Sequence, residues 1–368
     1  MEANETDTSL RLSSPQTKRV ESLDALRLLA ALVVFVQHYF AIMEVALPRW
    51  SSRGPLDSQA AVTLFFVLSG YVLAGSLERE TRSCASYIRF GIRRVLRLYP
   101  LYWCALLLTL LVYGCIMWSG GLGHDSEFIP RYFAAGGMDW RQWLLHLTML
   151  DMRIDHEFFV PPVWTLLVEA RIAVIFPFIA WGLLRCSWMM ALLFWLGLAV
   201  SAGWLEVHKL GIVSTLGEFV TGILLARIPR SFWQFTNKRW LLVLLAGAAC
   251  YSAIVFRYDA KWLARYTCAA GAACIVASVV YWKPLNDLLG RFQRALRVDV
   301  SYGLYILHYP LIVGLLKLQL SGWVRLPPAL GMALMMALTY AIAVVLHKIV
   351  ELPAIRLGRH LTRKAPTI

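Results

Sequence analysis

The amino-acid sequence predicts an all-α, polytopic membrane protein: a bundle of about ten transmembrane helices with both termini in the cytoplasm. Three observations predict it. Hydrophobic residues are 59% of the 368 residues and charged residues 16%, with a mean hydropathy of +0.61, outside the range of water-soluble domains. Apolar stretches near the length of about 20 residues that crosses a bilayer recur ten times, at 22–46, 60–78, 98–118, 162–184, 187–205, 211–227, 239–257, 262–282, 299–320 and 328–350. Of these, 187–205 and 211–227 are the shortest or most polar. The third observation is the alternation of charge. With the N-terminus placed inside, 23 of the 36 Lys and Arg fall in or at the edges of inner segments and 10 in or at the edges of outer ones, while Arg27, Arg171 and Lys317 lie deeper within helices. That asymmetry follows the positive-inside rule and favours an even number of spans.

The domain expectation is a polar tail at 1–20, a transmembrane domain at 21–358 and a short basic tail at 359–368. The N-terminal tail lacks an apolar core, so no signal peptide is expected. The net charge of +14 is explained by the inner loops and not by nucleic acid, since no soluble basic domain is present to lie along a duplex. Seven cysteines occur without C-x-x-C or zinc spacing. They read as small buried apolar residues, and no metal is expected. No repeat of 20–50 residues is visible, which counts against an inverted-repeat transporter. The sequence assigns no oligomeric state.

The first apolar segment carries Asp24, Arg27 and His38. Ionisable groups inside lipid are costly and are functional candidates for that reason. Eleven residues of ~100° each return nearly to the starting direction, so Arg27 and His38 share one stripe, roughly 16 Å apart along the axis. Asp24 stands three residues before Arg27, the spacing of a helical ion pair. A histidine here suits general-base work near neutral pH.

In the second segment, Phe65 to Tyr71 (FFVLSGY) supplies Ser69 and Gly70, which permit close helix approach or passage of a substrate along the backbone. At the inner mouth of the third, Arg89 to Pro100 (RFGIRRVLRLYP) supplies Arg93, Arg94 and Arg97. Clustered guanidiniums suit a phosphate-bearing cytosolic donor; positive-inside residues alone also place arginines here.

The longest outer segment, Ser119 to Pro161, mixes Asp125, Glu127, Asp139, Asp151, Asp155 and Glu157 with Tyr132, Trp140, Trp143 and Phe158. Carboxylates accept hydroxyl hydrogen bonds and flat rings stack on sugars; a solvated loop with an aromatic belt explains the same residues. Trp140 to Leu150 is amphipathic and expected at the membrane interface. In the fourth segment Glu169 and Arg171 sit inside an apolar run. Glu169 is expected at the depth of His38, orienting it, or else in an ion pair with an arginine. The ninth segment, SYGLYILHYP, brings Ser301, Tyr302, His308 and Tyr309, with His308 a weaker base candidate.

Taken in order, LDALR with His38, FFVLSGY, RRVLRLYP, PVWTLLVE, SYGLYILHYP and Glu351-Leu352-Pro353 resemble the membrane-bound acyltransferase 3 family. The likeness covers residues 20 to about 358, without a fused SGNH hydrolase-like domain. It implies a bacterial inner-membrane O-acyltransferase that moves acetyl from acetyl-CoA to a hydroxyl of a cell-surface or lipid-linked saccharide. The family's Arg-x10-His motif falls on Arg27 and His38, with His38 catalytic, and its R-x-x-R motif on Arg94 and Arg97, for donor handling. Glu169 is kept from the family's W-S-L-S-V-E-E-Q, whereas its second acid is Ala170 here. The competing class is a flippase of a lipid-linked sugar, in which Arg27, Glu169 and His308 line a path without chemistry.

Overall fold

The computed structural model describes residues 15–45, 56–78, 80–120, 140–149, 161–207, 211–256 and 261–363. Among them the secondary structure is helical throughout. In chain order the helices are α1 (Pro15–Ile42), α2 (Ser58–Leu77), α3 (Cys84–Trp118), α4 (Trp140–Thr148), α5 (Trp164–Leu183), α6 (Trp188–Val207), α7 (Gly211–Arg227), α8 (Asn237–Tyr251), α9 (Lys261–Tyr281), α10 (Lys283–Leu296), α11 (Ser301–Leu320), α12 (Pro328–Leu346) and α13 (Leu352–Leu361). All ten predicted segments are helices. Eight, among the described residues, are long and apolar enough to cross a membrane; the apolar stretch of α6, Trp188–Trp204, and the 17 residues of α7 fall short of that length. Exposed Leu107, Leu111, Phe178, Leu193 and Val200 give these helices the apolar outer faces that acyl chains require. The chain is an integral membrane protein.

The chain forms two compact units, one of residues 1–33, 49–79 and 180–301, the other of 34–48, 80–179 and 302–368. In the first unit α2 and α7 touch backbone to backbone. A Cβ on Gly70 would stand 2.1 Å from the Phe219 carbonyl oxygen, and one on Gly222 would stand 2.2 Å from that of Val67. The Gly70 anticipated for close approach therefore serves helix packing. Gly247 and Gly271 do the same for α8 and α9. Arg265 Nε and Nη2 donate to Glu218 Oε1 at 2.9 and 2.7 Å, so α7 and α9 share a buried ion pair that the sequence reading did not single out. The amphipathic α10 docks on the start of α1 through Asn286 to Ser22 at 2.8 Å and Arg294 to Glu21.

In the second unit α3 is the axis. It runs 35 residues, roughly 52 Å at 1.5 Å per residue, longer than a bilayer core is thick, so RFGIRRVLRLYP lies within one continuous helix. Pro100 is inside it, where its missing N–H leaves the Leu96 carbonyl without its usual partner. α5 runs antiparallel to α3, with Tyr87 bonded to the Val174 carbonyl and Arg94 to Glu169. α11 runs parallel to it, with Tyr302 bonded to the Leu98 carbonyl and Gly314 against Val112. Arg93 ties α3 to the end of α13, donating from Nε to Thr362 Oγ1 at 2.7 Å.

α4 is tied to α3 by its C-terminal end. Its last carbonyls, of His146, Leu147 and Thr148, accept from Tyr102, Trp103 and Tyr99 at 2.7, 3.0 and 2.7 Å. These donors sit near the middle of α3, roughly 25 Å from its Trp118 end by helical rise, and His146 and Met149 are buried. The C-terminal end of α4 is thus docked on α3, because three side-chain donors satisfy carbonyls that a helix end leaves open, while Leu144 and Leu147 stay exposed. The acidic and aromatic residues proposed for this segment lie outside the described residues, apart from the backbone of Trp140 and Trp143. The cysteine expectation is also corrected: only Cys268 is buried, while Cys84, Cys115 and Cys250 are exposed.

Two outcomes follow from this packing. Gly70→Ala pushes a methyl onto the Phe219 carbonyl and is expected to lower stability by about 1–3 kcal/mol, the range for overpacking, read as a fall in melting temperature in detergent. Burial pulls the Glu80 carboxyl up, but hydrogen bonds from Arg89 and Ser86 and the charges of Arg89 and Arg93 outweigh it and hold the group below its ordinary value of 4.5. A depressed folded-state value stabilises above the unfolded one and is lost as pH falls. Stability should therefore drop below about pH 4.5, and Glu80→Gln should flatten that acid limb in a pH series of melting curves.

Candidate active site

The site is built on α11 and the end of α1. His38 Nδ1 stands 2.8 Å from His308 Nε2. The ring centroids are 5.1 Å apart and the planes 14° from parallel. An imidazole nitrogen lies about 1.2 Å from its ring centre by ordinary bond lengths, so the 2.8 Å contact and two such radii account for nearly all of the separation. The rings therefore meet edge to edge in almost one plane, the geometry of a lone-pair hydrogen bond and not of a face stack. His308 is 0% exposed, and its Nδ1 faces the Leu304 carbonyl at 3.0 Å. Both its nitrogens are engaged, which removes His308 as a base able to reach a substrate. His38 is half-buried, and its Nε2 edge is the one that His308 does not occupy.

Aromatic rings wall the pair. Tyr309 stands edge-on to His38 at 5.6 Å and 86°, while Phe35 and Tyr305 pack on His308 at 5.7 and 6.3 Å. Tyr305 is held by Thr165 Oγ1 at 2.9 Å and by the Pro162 carbonyl, which anchors the start of α5 beside the pair. Pro310, two residues beyond His308, interrupts the hydrogen-bond ladder of α11 by freeing the Ile306 carbonyl. The sequence reading named His38 and His308 but did not pair them, and it missed Tyr305. Tyr302, Tyr305 and Tyr309 recur at helical spacing in an apolar run, so one polar stripe on α11 was the available signal.

Glu169 is not at the depth foreseen. Its described contact is Arg94 Nη2 at 2.7 Å, with side chains 18% and 13% exposed. The reason is that Pro161–Val163 already lies beside Tyr305, so Glu169 falls farther along α5, level with Arg94. From there to His308 the rise is four residues of α3 and six of α11, roughly 15 Å. The ion-pair alternative for Glu169 describes this contact, and the group bonded to His38 Nδ1 is His308. Arg94 Nε is buried without a hydrogen-bond partner.

The other arginines divide. Arg93 is spent on Thr362 and Glu80. Arg97 is exposed and has no hydrogen-bond or ion-pair partner among the described residues, while its charge acts on Tyr302, as do those of Glu169 and Glu351. Glu351 holds His347 Nδ1 at 2.8 Å across a turn of π-helix, His347–Glu351, just before Pro353. In the first unit, Arg27 pairs with Asp24 at 2.9 Å as its spacing foretold, roughly 16 Å along α1 from His38. Ser69 is half-buried in α2. Ser301 donates to Asp299 at 2.7 Å, and Asp299 also accepts from the Ser301 amide, so this serine closes the N-terminal turn of α11.

Comparison with known families gives the class of this membrane-embedded helical protein, an acyltransferase. The family model described as "Acyltransferase domain" matches residues 20–348, and the chain belongs to this acyltransferase 3 family. It is similar to Acyltransferase MdmB of Streptomyces mycarofaciens, 32% identical over 177 residues, 44% of this chain and 40% of that one. Nodulation protein 10 of Rhizobium leguminosarum bv. viciae is 23% identical across 93% of this chain and 95% of its own. O-acetyl transferase of Shigella phage Sf6 is 31% identical over 114 residues, 30% of this chain and 29% of that protein. The matches to the first and third thus span less than half of those proteins. No solved structure matches.

Removing one member of a buried ion pair strands the other charge and typically costs about 3–5 kcal/mol, whereas replacing both can be near neutral. Arg94→Met and Glu169→Met should each lower the melting temperature of the purified protein, and the double variant should recover most of the loss.

Proposed function

We propose that this O-acyltransferase carries acetyl from cytosolic acetyl-CoA to a hydroxyl of a cell-surface or lipid-linked saccharide, in the bacterial inner membrane with both termini in the cytoplasm. The observation that carries the reading is the half-buried His38, whose Nδ1 edge is tied to a buried histidine and whose other edge is left to meet substrate. His38 takes the acceptor hydroxyl proton as the acceptor oxygen bonds to the acetyl carbonyl carbon. The C–S bond breaks, the CoA thiolate leaves, and the proton passes from His38 to that sulfur. Acceptor and thioester must lie within ~3–3.5 Å of each other for this attack.

Arg97 is the first candidate for the donor's phosphates, since it is exposed and keeps its guanidinium uncommitted. Arg94 and Arg93 contribute field more than direct contact, being held by Glu169 and Thr362. A role for Arg27 at the donor rests on the family motif alone. Glu169 supports the reaction through Arg94 and not by touching reacting atoms. The acetyl group and an oxygen acceptor are supported by the likeness to the O-acetyl transferase of the phage; the saccharide rests on the family resemblance.

His38→Ala should abolish transfer of radiolabelled acetyl from acetyl-CoA into the glycan fraction of membranes while leaving the protein folded and membrane-inserted. Acetyl-ester formation at the unmodified rate would overturn the assignment.

A further inference from the structure

We infer that His308 is a positioning residue that sets the tautomer of His38, so that His38 presents an unprotonated Nε2 to its substrate. This rests on the reading of His38 as the base of the transfer. The proton order is fixed from one end of a three-membered chain. The Leu304 carbonyl oxygen, 3.0 Å from His308 Nδ1, can only accept, so Nδ1 of His308 carries a proton. His308 is wholly buried against Phe35 and Tyr305, and the contacts described for it include no carboxylate. A cation there would be severely penalised, so the ring is neutral and its Nε2 holds a lone pair. That lone pair faces His38 Nδ1 at 2.8 Å with the two rings nearly coplanar. The proton between the rings therefore belongs to His38 Nδ1, and the remaining lone pair of His38 is on Nε2.

The arrangement does for His38 what a buried carboxylate does for the histidine of a serine hydrolase, where the wrong tautomer costs about 10⁴ in kcat. The difference is that the orienting group here is uncharged. When His38 takes up the acceptor's proton, its Nδ1–H stays bonded to His308 Nε2, and the proton gained on Nε2 is the one returned to the departing sulfur. No proton needs to enter His308. A leucine at 308 fills much of the ring's volume but accepts nothing, so the proton on His38 is free to move to Nε2. A glutamine reaches about as far as Nε2 and can accept through its amide oxygen.

The test uses the full-length protein in nanodiscs, radiolabelled acetyl-CoA as probe and the membrane glycan fraction as acceptor. It is paired with ring-nitrogen NMR of histidine-labelled protein, in which His38→Ala identifies the His38 signals. Expected are a fall in kcat of roughly 100-fold or more for His308→Leu, with KM for acetyl-CoA within about twofold, and movement of the His38 Nε2 signal to the protonated position. His308→Gln should keep kcat within about tenfold of the unmodified protein and keep the unprotonated signal. Unchanged kcat in His308→Leu, or a protonated His38 Nε2 in the unmodified protein, would overturn the inference. The NMR result on the unmodified protein decides even where His308→Leu fails to fold. Full activity in His38→Ala would instead overturn the underlying reading of His38, whatever His308 does.

Discussion

Arg94 and Glu169 meet at 2.7 Å inside an apolar unit, and the register of three helices depends on that meeting. A guanidinium or carboxylate carried into such an interior is tolerated only beside its counter-charge. Once the two are paired, α5 is fixed antiparallel to α3. The start of α5 then falls beside Tyr305 through Thr165 and Pro162, and α11 is held at the level where Tyr302 reaches the Leu98 carbonyl. The height of His308 above the charged layer is a result of this stacking. The ion pair is thus a spacer as much as a bond.

Above that layer the chemistry changes character. The level of Arg94 and Glu169 is ionic and rich in arginine, whereas the histidine pair is walled by Phe35, Tyr305 and Tyr309. A charged layer and a neutral histidine pair are separated along one axis, which suits the proposed meeting of a phosphate-bearing donor with an acceptor hydroxyl. Low local polarity strengthens the one polar contact present, the bond between the two imidazoles. It also explains why a neutral histidine can serve where a carboxylate would need a second cation to balance it.

Much of this was legible in the residues. The helices followed from apolar runs, the family from the order of its motifs, and the Asp24–Arg27 pair from a spacing of three. Local periodicity carries such facts because they involve neighbours in sequence. The His38–His308 contact joins residues 270 apart, and nothing within either motif states that they meet. Glu169 was misjudged because α5 was taken to enter from one surface, while Pro161–Val163 begins it in the interior. The docking of α4 on α3 is likewise a contact between segments distant in sequence. An amphipathic nine-residue stretch reads as interfacial, and only the three donors on α3 reveal that its carbonyl end is satisfied by protein.

The interval from Tyr302 to His308 acts as a gauge length. Tyr302 is pinned to the Leu98 carbonyl and His308 to His38, so the five residues between these fixed points set both the height and the heading of the second imidazole. A single residue gained or lost within the interval would turn His308 by about 100° and shift it ~1.5 Å, breaking the contact while leaving every motif intact. Tolerance to substitution and tolerance to length are therefore separate properties of α11. The helix can vary its apolar side chains within their packing, but not the count between its two pins.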